Sequence, residues 1–143
     1  MKTVNKSALV PYSPGQMFAL VDNIEAYKEF LPWCSGSIVL ERLESEVTAS
    51  LEISHSGFHK SFTTRNFNQA GDQITVTLLE GPFKKLEGVW RFLPLGEAGC
   101  KVTLDLEFEF SNRLVGLTFG GIISHMAGTL VDAFTQRASQ IYG

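Results

Sequence analysis

Residues 112–142, NRLVGLTFGGIISHMAGTLVDAFTQRASQIY, form the longest segment with an unbroken helical pattern, and this segment decides the fold. Its apolar residues recur every three or four positions, which places them along one side of an α-helix. This apolar stripe consists of Val115, Phe119, Ile122, Ile123, Met126, Leu130, Phe134, Ala138 and Ile141. Asn112 is a suitable N-cap residue, and the segment contains no proline. The sequence therefore predicts one long C-terminal helix.

The beginning of this segment is unusual because the stretch from Leu114 to Ile123 is apolar nearly all round and contains three glycines. They are Gly116, Gly120 and Gly121. Each glycine inside a helix lowers its stability by about 1 kcal/mol relative to alanine. Such a helix is stable only if other elements wrap it. Alternatively, the regular helix begins near Gly121 and the preceding turns form a mobile flap.

The middle of the chain has a different pattern, in which apolar residues recur at every second position, as is typical of β-strands. Short turn sequences separate the strands, among them Ala70-Gly71-Asp72, and every gap is short enough for an antiparallel hairpin. Strands are predicted near Lys2–Val10, Ser37–Leu43, Val47–Ser54, Phe58–Phe67, Gln73–Glu80, Phe83–Leu93 and Lys101–Phe110.

Two short helices are predicted after the first strand. Ser13 is a suitable N-cap, with Pro14 at the first helical position and Gln16 placed to complete a capping box. A second short helix over Ile24 to Phe30 should end before Pro32, because the residue that precedes a proline avoids the α conformation.

Together these elements predict a single α+β domain over residues 1–143, in which a curved antiparallel sheet of about seven strands wraps around the long helix. A curved sheet and one helix leave a wedge between them. The wedge either fills with side chains or remains as a cavity for an apolar ligand, and the sequence leaves both outcomes open.

The composition narrows the classes of function. A net charge of −3 argues against a generic electrostatic nucleic-acid binder, so no DNA partner is expected. The N-terminal residues lack the apolar region of a signal peptide, and no run of about 18 apolar residues is expected to span a membrane. We therefore expect a cytoplasmic protein that is not an integral membrane protein.

Neither catalysis nor metal binding is predicted. Cys34 and Cys100 are far apart in sequence and are interpreted as free thiols in a reducing compartment. Cys34 would need an adjacent base to act as a nucleophile, and the sequence supplies none nearby. The histidines show no zinc-binding spacing; they are His55, His59 and His125. Three carboxylates alternate along the last strand and are expected to face water; they are Asp105, Glu107 and Glu109.

The strand predicted after the Gly81-Pro82 turn carries a gap in a row of large side chains. Four of its residues share one face, namely Leu86, Gly88, Trp90 and Phe92. Gly88 contributes no side chain, so the gap admits either a ligand or the long helix. Phe83 at the turn and Trp33 beside Pro32 are candidates for a cavity wall or for structural packing, and the sequence does not decide between them.

Basic residues are concentrated on the predicted sheet. They are Lys60, Arg65, Lys84, Lys85 and Arg91. A solvated face is one interpretation of this set, and a small patch for phosphate contacts is the other. This patch is the sequence feature through which a partner that carries phosphate groups would be bound.

Three blocks give the chain a resemblance to a known family. They are VDNIEAYKEFLPWC at 21–34, LEGPFKKLEGVWRF at 79–92 and MAGTLVDAFTQRA at 126–138. The chain resembles the START-like coenzyme Q-binding family, and within it the bacterial branch of ribosome association toxins, RatA. The resemblance covers essentially the whole chain. Lys28 departs from it, because the family usually has proline there, but a short surface helix tolerates this difference.

The resemblance implies the helix-grip fold, also called START-like or Bet v-like, and two modes of action. In the first, the protein is a noncatalytic binder that holds ubiquinone or a similar isoprenoid lipid between the sheet and the C-terminal helix, supports respiration and contacts membranes transiently. No cofactor is required beyond such a ligand. The candidate ligand contacts are Trp33, Phe83, Leu86, Gly88, Trp90, Phe92, Phe108, Phe119, Ile122, Ile123, Met126 and Leu130.

In the second mode of action, the protein is a toxin that binds the large ribosomal subunit, blocks subunit association and inhibits translation initiation. The two modes do not exclude each other. An enzymatic alternative, a cyclase or hydrolase in the same cavity, would need polar groups that face inward, and a buried histidine or a pair of carboxylates would revive it.

Overall fold

A computed structural model describes residues 1–69 and 72–143. The first two residues of the predicted turn Ala70-Gly71-Asp72 lie outside the described residues. The strands are β1 Lys2–Val10, β2 Cys34–Arg42, β3 Glu46–His55, β4 Phe58–Gln69, β5 Gln73–Glu80, β6 Phe83–Leu95 and β7 Gly99–Phe110. The helices are α1 Pro14–Asp22, a 3-10 turn Ile24–Ala26, α2 Tyr27–Phe30, α3 Arg113–Gly128 and α4 Leu130–Tyr142.

The strands form one antiparallel sheet of seven strands in the order β1-β7-β6-β5-β4-β3-β2. Strands β2 to β7 follow one another as hairpins, whereas β1 pairs with β7, so that the two ends of the predicted strand region meet. The sheet curves around the C-terminal helices. The predicted α+β helix-grip architecture is therefore confirmed.

The connection from β1 through α1 is held by side-chain caps. The Ser13 hydroxyl accepts a hydrogen bond from the backbone N–H of Gln16 at 3.1 Å, and the Gln16 side chain accepts one from the Ser13 N–H at 2.9 Å. The predicted capping box is thus confirmed. At the other end of α1, the Asp22 carboxylate accepts hydrogen bonds from Arg42 and from Asn68 at 2.9 Å, which ties α1 to β2 and β4.

The long C-terminal helix begins where the sequence predicts. The Asn112 side chain accepts hydrogen bonds from the N–H groups of Leu114 and Val115, at 2.8 and 3.1 Å. Because α3 is helical from Arg113, the alternative of a mobile flap before Gly121 is wrong. The helix is interrupted only at Thr129, whose hydroxyl donates to the Met126 carbonyl at 2.7 Å and competes for this backbone acceptor.

The start of α3 is covered on one side only. Leu114 and Leu117 are 73% and 75% exposed, so the other elements wrap this segment only in part. On the covered side, glycines bring the helix close to its neighbours. A Cβ at Gly116 would lie 3.6 Å from Phe110, and a Cβ at Gly120 would lie 3.4 Å from the Lys2 side chain.

The statement that no apolar run is long enough to span a membrane is also wrong. The helical region 113–142 contains an 18-residue window that could cross a membrane by length and composition alone. A core helix passes the same test, and this region packs against β1 and β7 through its apolar stripe.

Two apolar clusters form the core. The first apolar cluster lies between α1, α4 and the sheet and includes Met17, Val21, Phe92, Val102 and Phe134. The second apolar cluster lies beneath α3 and includes Ile53, Phe58, Phe83, Leu86, Phe108, Phe110, Ile123 and Met126. Strand β2 begins at Cys34, three residues before the prediction, because an irregular register between Cys34 and Gly36 hides the alternation there.

Candidate functional site

A cavity of about 130 Å³ lies between the concave face of the sheet and the helices. Its roof is formed by Leu130 and Phe134 of α4 together with residues around the α1–α2 connection, and its floor is formed by the sheet. The lining side chains are Val21, Ile24, Tyr27, Trp33, Ala49, Leu51, Phe62, Thr64, Asn66, Val76, Leu86, Trp90, Leu104, Leu106, Leu130 and Phe134. The predicted wedge is thus filled in part and open in part.

The structure brings only some of the sequence-predicted ligand contacts to this cavity. Those that line it are Trp33, Leu86, Gly88, Trp90 and Leu130. Others pack in or against the second apolar cluster beneath α3, namely Phe83, Phe108, Phe119, Ile122, Ile123 and Met126. Phe92 is fully buried in the first apolar cluster, where its ring meets Phe18. Contact between any of these residues and a ligand stays a prediction.

Gly88 lies at the centre of the floor. A Cβ at this position would lie 3.0 Å from Cδ1 of Leu106 and 3.9 Å from Cβ of Val76, and its three nearest neighbouring atoms all belong to the sheet. The gap therefore admits the Leu106 side chain and the cavity, not the long helix. At the turn before β6, Gly81 is needed for a different steric reason, because a Cβ at this position would lie only 2.6 Å from Cβ of Phe62.

Sequence reasoning missed the part of the wall that strands β3 to β5 supply. Phe62, Thr64 and Asn66 alternate along β4 and all line the cavity. Alternation in the sequence places them on one face, but with polar residues at two of the three positions the sequence does not identify this face as the covered one. The structure shows the opposite, since Thr64 and Asn66 are each only 6% exposed.

Thr64 and Asn66 make a polar spot in an otherwise apolar wall. The Thr64 hydroxyl donates to Oδ1 of Asn66 at 3.3 Å. The Tyr27 phenol, which also lines the cavity, donates to the backbone carbonyl of Val21. Burial raises the pKa of Tyr27 far above its ordinary value, and the charge of Asp22 adds to this effect. The cavity thus contains neutral hydrogen-bonding groups.

The cavity wall does not contain the groups that the enzymatic alternative requires. Of the residues that the structure describes, none that lines the cavity is a histidine, a carboxylate, a lysine or an arginine. Cys34 is buried, its thiol donates to the Gly36 carbonyl at 3.3 Å, and burial raises the pKa of this thiol. Within the same described residues, no three histidine, cysteine or acidic side chains cluster as metal ligands would.

The histidines and the alternating carboxylates lie at the surface. His55, His59 and His125 are exposed. Asp105 and Glu107 lie on the convex side of β7, as predicted, and pair there with two of the predicted basic contacts. The distances are 3.1 Å from Glu107 to Lys85 and 3.1 Å from Asp105 to Arg91. These carboxylates neutralise part of the predicted basic patch.

The remaining predicted basic residues lie in other places, so the five do not form one patch. Lys60 and Arg65 lie on β4, two strands from β6. Lys84 lies at an irregularity in the pairing of β6, between Phe83 and Lys85, and points away from the side of the sheet on which Lys85 lies. It lines a surface groove at the start of α3 together with Lys2 and Arg113. Whether any of these residues contacts a ribosome stays a prediction.

This surface groove, which we call the α3 groove, combines positive charge with apolar surface. Its walls include Met1, Lys2, Lys84, Phe108, Glu109, Arg113, Gly116 and Leu117. Glu109 is the acidic residue among them, and the ion pairs found between described residues involve none of the three basic side chains. The exposed Leu114 is adjacent to Arg113.

Comparison with known proteins gives consistent relationships. Residues 10–135 match the family described as polyketide cyclase / dehydrase and lipid transport. The chain is 51% identical to ribosome association toxin RatA of Vibrio cholerae over 143 residues, which is 100% of this chain and 99% of the relative. It is 26% identical to the mitochondrial coenzyme Q-binding protein coq10 of Schizosaccharomyces pombe, covering 92% of this chain and 84% of the relative.

A solved structure agrees with the fold and with these relationships. The solution structure of the 18 kDa protein CC1736 from Caulobacter crescentus superimposes with a TM-score of 0.79 and 33% identity. The match covers 100% of this chain and 99% of the other. The match to the RatA protein of Vibrio cholerae and the match to this solved structure each cover the sheet, the cavity and the α3 groove.

Proposed function

Since the chain belongs to the polyketide cyclase / dehydrase and lipid transport family, we propose that it is a ribosome-association protein of the RatA type that acts by binding and not by catalysis. The observation that carries this proposal is the 51% identity to the RatA protein of Vibrio cholerae over the whole chain. The neutral cavity wall supports a binding role, because general acid–base catalysis needs ionisable groups beside the substrate.

More specifically, we propose that the protein binds the large ribosomal subunit in the cytoplasm and blocks subunit association, which inhibits translation initiation. Binding to ribosomal RNA requires cations that are free to contact phosphates. Lys84 and Arg113 in the α3 groove meet this requirement better than Lys85 and Arg91, which already face Glu107 and Asp105. We therefore assign the ribosome contact to the α3 groove.

Co-sedimentation with ribosomes tests this assignment through two variants that remove the same charge. Lys84→Ala with Arg113→Ala removes two of the three groove cations, and Lys85→Ala with Arg91→Ala removes the two paired cations of the sheet. The groove variant should lose most of its ribosome binding, and the slope of log affinity against log salt should flatten by about 0.7–0.9 for each phosphate that the variant no longer binds. The paired-cation variant should bind nearly as the wild type does.

The two variants also separate the ways in which the proposal fails. Equal reductions of binding in both would indicate a response to net charge and remove the assignment to the groove. A wild-type protein that does not co-sediment with ribosomes at any salt concentration would remove the ribosomal function itself. Melting temperatures of all proteins should agree, so that the comparison reports binding and not unfolding.

A second candidate function is supported by the cavity. A space of about 130 Å³ with a mostly apolar wall can hold a ring-sized part of a hydrophobic ligand, and the distant yeast relative is named a coenzyme Q-binding protein. We propose ubiquinone or a similar lipid as this ligand, with the exposed Leu114 and Leu117 as the surface that meets a membrane during exchange. Native mass spectrometry of protein purified from its own cells should reveal a co-purified lipid, and its repeated absence would oppose this candidate.

A further inference from the structure

The polar spot in the cavity wall has a defined orientation. Asn66 lies between Val47 on β3 and Val76 on β5 in the sheet register, so its side chain stands among apolar neighbours on the concave face. The contact from the Thr64 hydroxyl to Oδ1 at 3.3 Å is the side-chain hydrogen bond that the described residues give to Asn66. With Oδ1 engaged by Thr64, the amide nitrogen of Asn66 is the end that remains for another partner.

Burial makes this arrangement informative about the ligand. Asn66 is 6% exposed and Thr64 is also 6% exposed, so bulk water has little access to either group. A buried amide without a hydrogen-bond partner destabilises a folded protein, whereas a partner with an acceptor atom removes this cost. The donor that the wall presents therefore suits a ligand with an uncharged acceptor, because the cavity offers no cation to compensate an anion.

The dimensions of the site suggest the shape of the rest of the ligand. Asn66 lies beside Val76 in the register, and Val76 lies beside Gly88, so Asn66 and Gly88 are two strand spacings apart, or about 10 Å. A flat group can lie against Val76 between them, beside the Leu106 side chain, because Val76, Gly88 and Leu106 all line the cavity. The volume of about 130 Å³ is close to that of an engineered apolar cavity of about 150 Å³ that binds benzene.

From this geometry we infer that the cavity selects a ligand whose flat, ring-sized apolar group carries a carbonyl oxygen, and that the Asn66 amide donates to this oxygen while Thr64 holds the amide in orientation. The inference rests on the second candidate function, the binding of a hydrophobic ligand. Asn66 is then a specificity-determining residue, and the apolar wall supplies affinity without discriminating between ligands of equal shape.

Two probes of nearly equal shape test this inference. Acetophenone carries a carbonyl group where α-methylstyrene carries a carbon–carbon double bond, and neither reacts with the protein. Their dissociation constants are measured for the wild type, Asn66→Leu and Thr64→Val by calorimetry. Loss of one hydrogen bond changes affinity by about two- to tenfold. Asn66→Leu should weaken acetophenone binding relative to α-methylstyrene binding by this factor, and Thr64→Val should weaken it by less.

A second measurement needs no variant. In an amide proton–nitrogen correlation spectrum of the wild type, acetophenone should move the Asn66 side-chain resonances further than α-methylstyrene does, because both rings act on them but only the carbonyl group accepts a hydrogen bond. Unchanged selectivity in a folded Asn66→Leu protein, or equal shifts from both probes, would overturn the inference. Failure of both probes to bind the wild type would instead overturn the ligand-binding function on which the inference rests.

Discussion

Gly88 keeps the floor of the cavity open, because no side chain extends from it toward the helices. The space beside it is bounded by Leu106, whose Cδ1 would lie 3.0 Å from an added Cβ, and by Val76 at 3.9 Å. Its Cα shares a register row with Leu106 of β7 and Val76 of β5. One missing side chain in the middle of the sheet thus contributes directly to the volume in which a ligand would lie.

Replacement of Gly88 should therefore separate ligand binding from stability. Gly88→Leu places a branched side chain in the cavity and should reduce acetophenone binding at least tenfold. Stability should fall by no more than about 1–3 kcal/mol, the usual cost of overpacking a filled core, because the tip of Leu106 must shift but the rest of the leucine enters the cavity. Calorimetric titration and urea denaturation give the two quantities.

Gly88→Ala is the matched control, since it meets the same Leu106 atom but fills little of the cavity. It should retain most of the binding. A Gly88→Leu protein that loses much stability while its affinity for acetophenone stays constant would show that this space is needed for packing and not for a ligand.

Individual residues also show where reasoning from sequence reaches its limit. The shared face of Leu86, Gly88 and Trp90 follows from strand alternation, and all three line the cavity. Thr64 and Asn66 were missed because a polar residue in a strand is usually solvated, and alternation does not reveal which face is covered. Which part of the concave face stays open depends on where the helices lie, and this is not a local property of any strand.

The α3 helix presents two different faces. Its covered face uses small residues for close packing, with Gly116 near Phe110 and Gly120 near Lys2. Its outward face exposes Leu114 and Leu117, and a Cβ added to Gly121 would meet nothing within 4 Å. Gly120 and Gly121 are consecutive in sequence but have different surroundings, so they form a natural pair for comparison.

Gly121→Ala should raise the free energy of unfolding by about 0.5–1 kcal/mol, because alanine has the higher helix propensity and the added methyl group meets no other atom. Gly120→Ala should raise it less, since the Lys2 side chain at 3.4 Å must move. Urea denaturation of both variants measures this difference. A loss of stability in Gly121→Ala would contradict the open surroundings of this residue.

At the level of elements, local signals predicted most of the fold. The Asn112 cap and the Ser13–Gln16 capping box lie where the sequence indicates, because caps depend on residues only a few positions apart. The start of β2 was misplaced because of the irregular register after Cys34. The pairing of β1 with β7 joins strands from opposite ends of the chain, and no local pattern contains that information.

The whole molecule contains two candidate sites that do not share lining residues. The cavity lies between the sheet and α4, and the α3 groove lies at the start of α3 on the outer surface. Between them lies the second apolar cluster, in which Phe108 and Phe83 are almost completely buried. The net charge of −3 is also unevenly distributed, because the groove collects Lys2, Lys84 and Arg113, while Lys85 and Arg91 on the sheet are paired with carboxylates.

This separation predicts that the two proposed functions can be removed independently. Asn66→Leu acts on a neutral, buried group and leaves the surface charges in place, so it should weaken acetophenone relative to α-methylstyrene without changing ribosome co-sedimentation. Lys84→Ala with Arg113→Ala acts on exposed charges. It should weaken ribosome co-sedimentation, flatten the salt dependence of this binding and leave acetophenone binding unchanged.

Ribosome co-sedimentation and acetophenone titration are performed on the wild type and on both variants under the same salt conditions, with melting temperatures as a check on folding. Energetic coupling between two sites is reciprocal, so a true linkage would appear in both directions and with the same factor. If Asn66→Leu lowered ribosome binding and bound ribosomes altered acetophenone affinity equally, the cavity would regulate the groove, and the two sites would act as one functional unit. Independent effects would instead establish a ribosome-binding surface and a ligand cavity that operate separately on one fold.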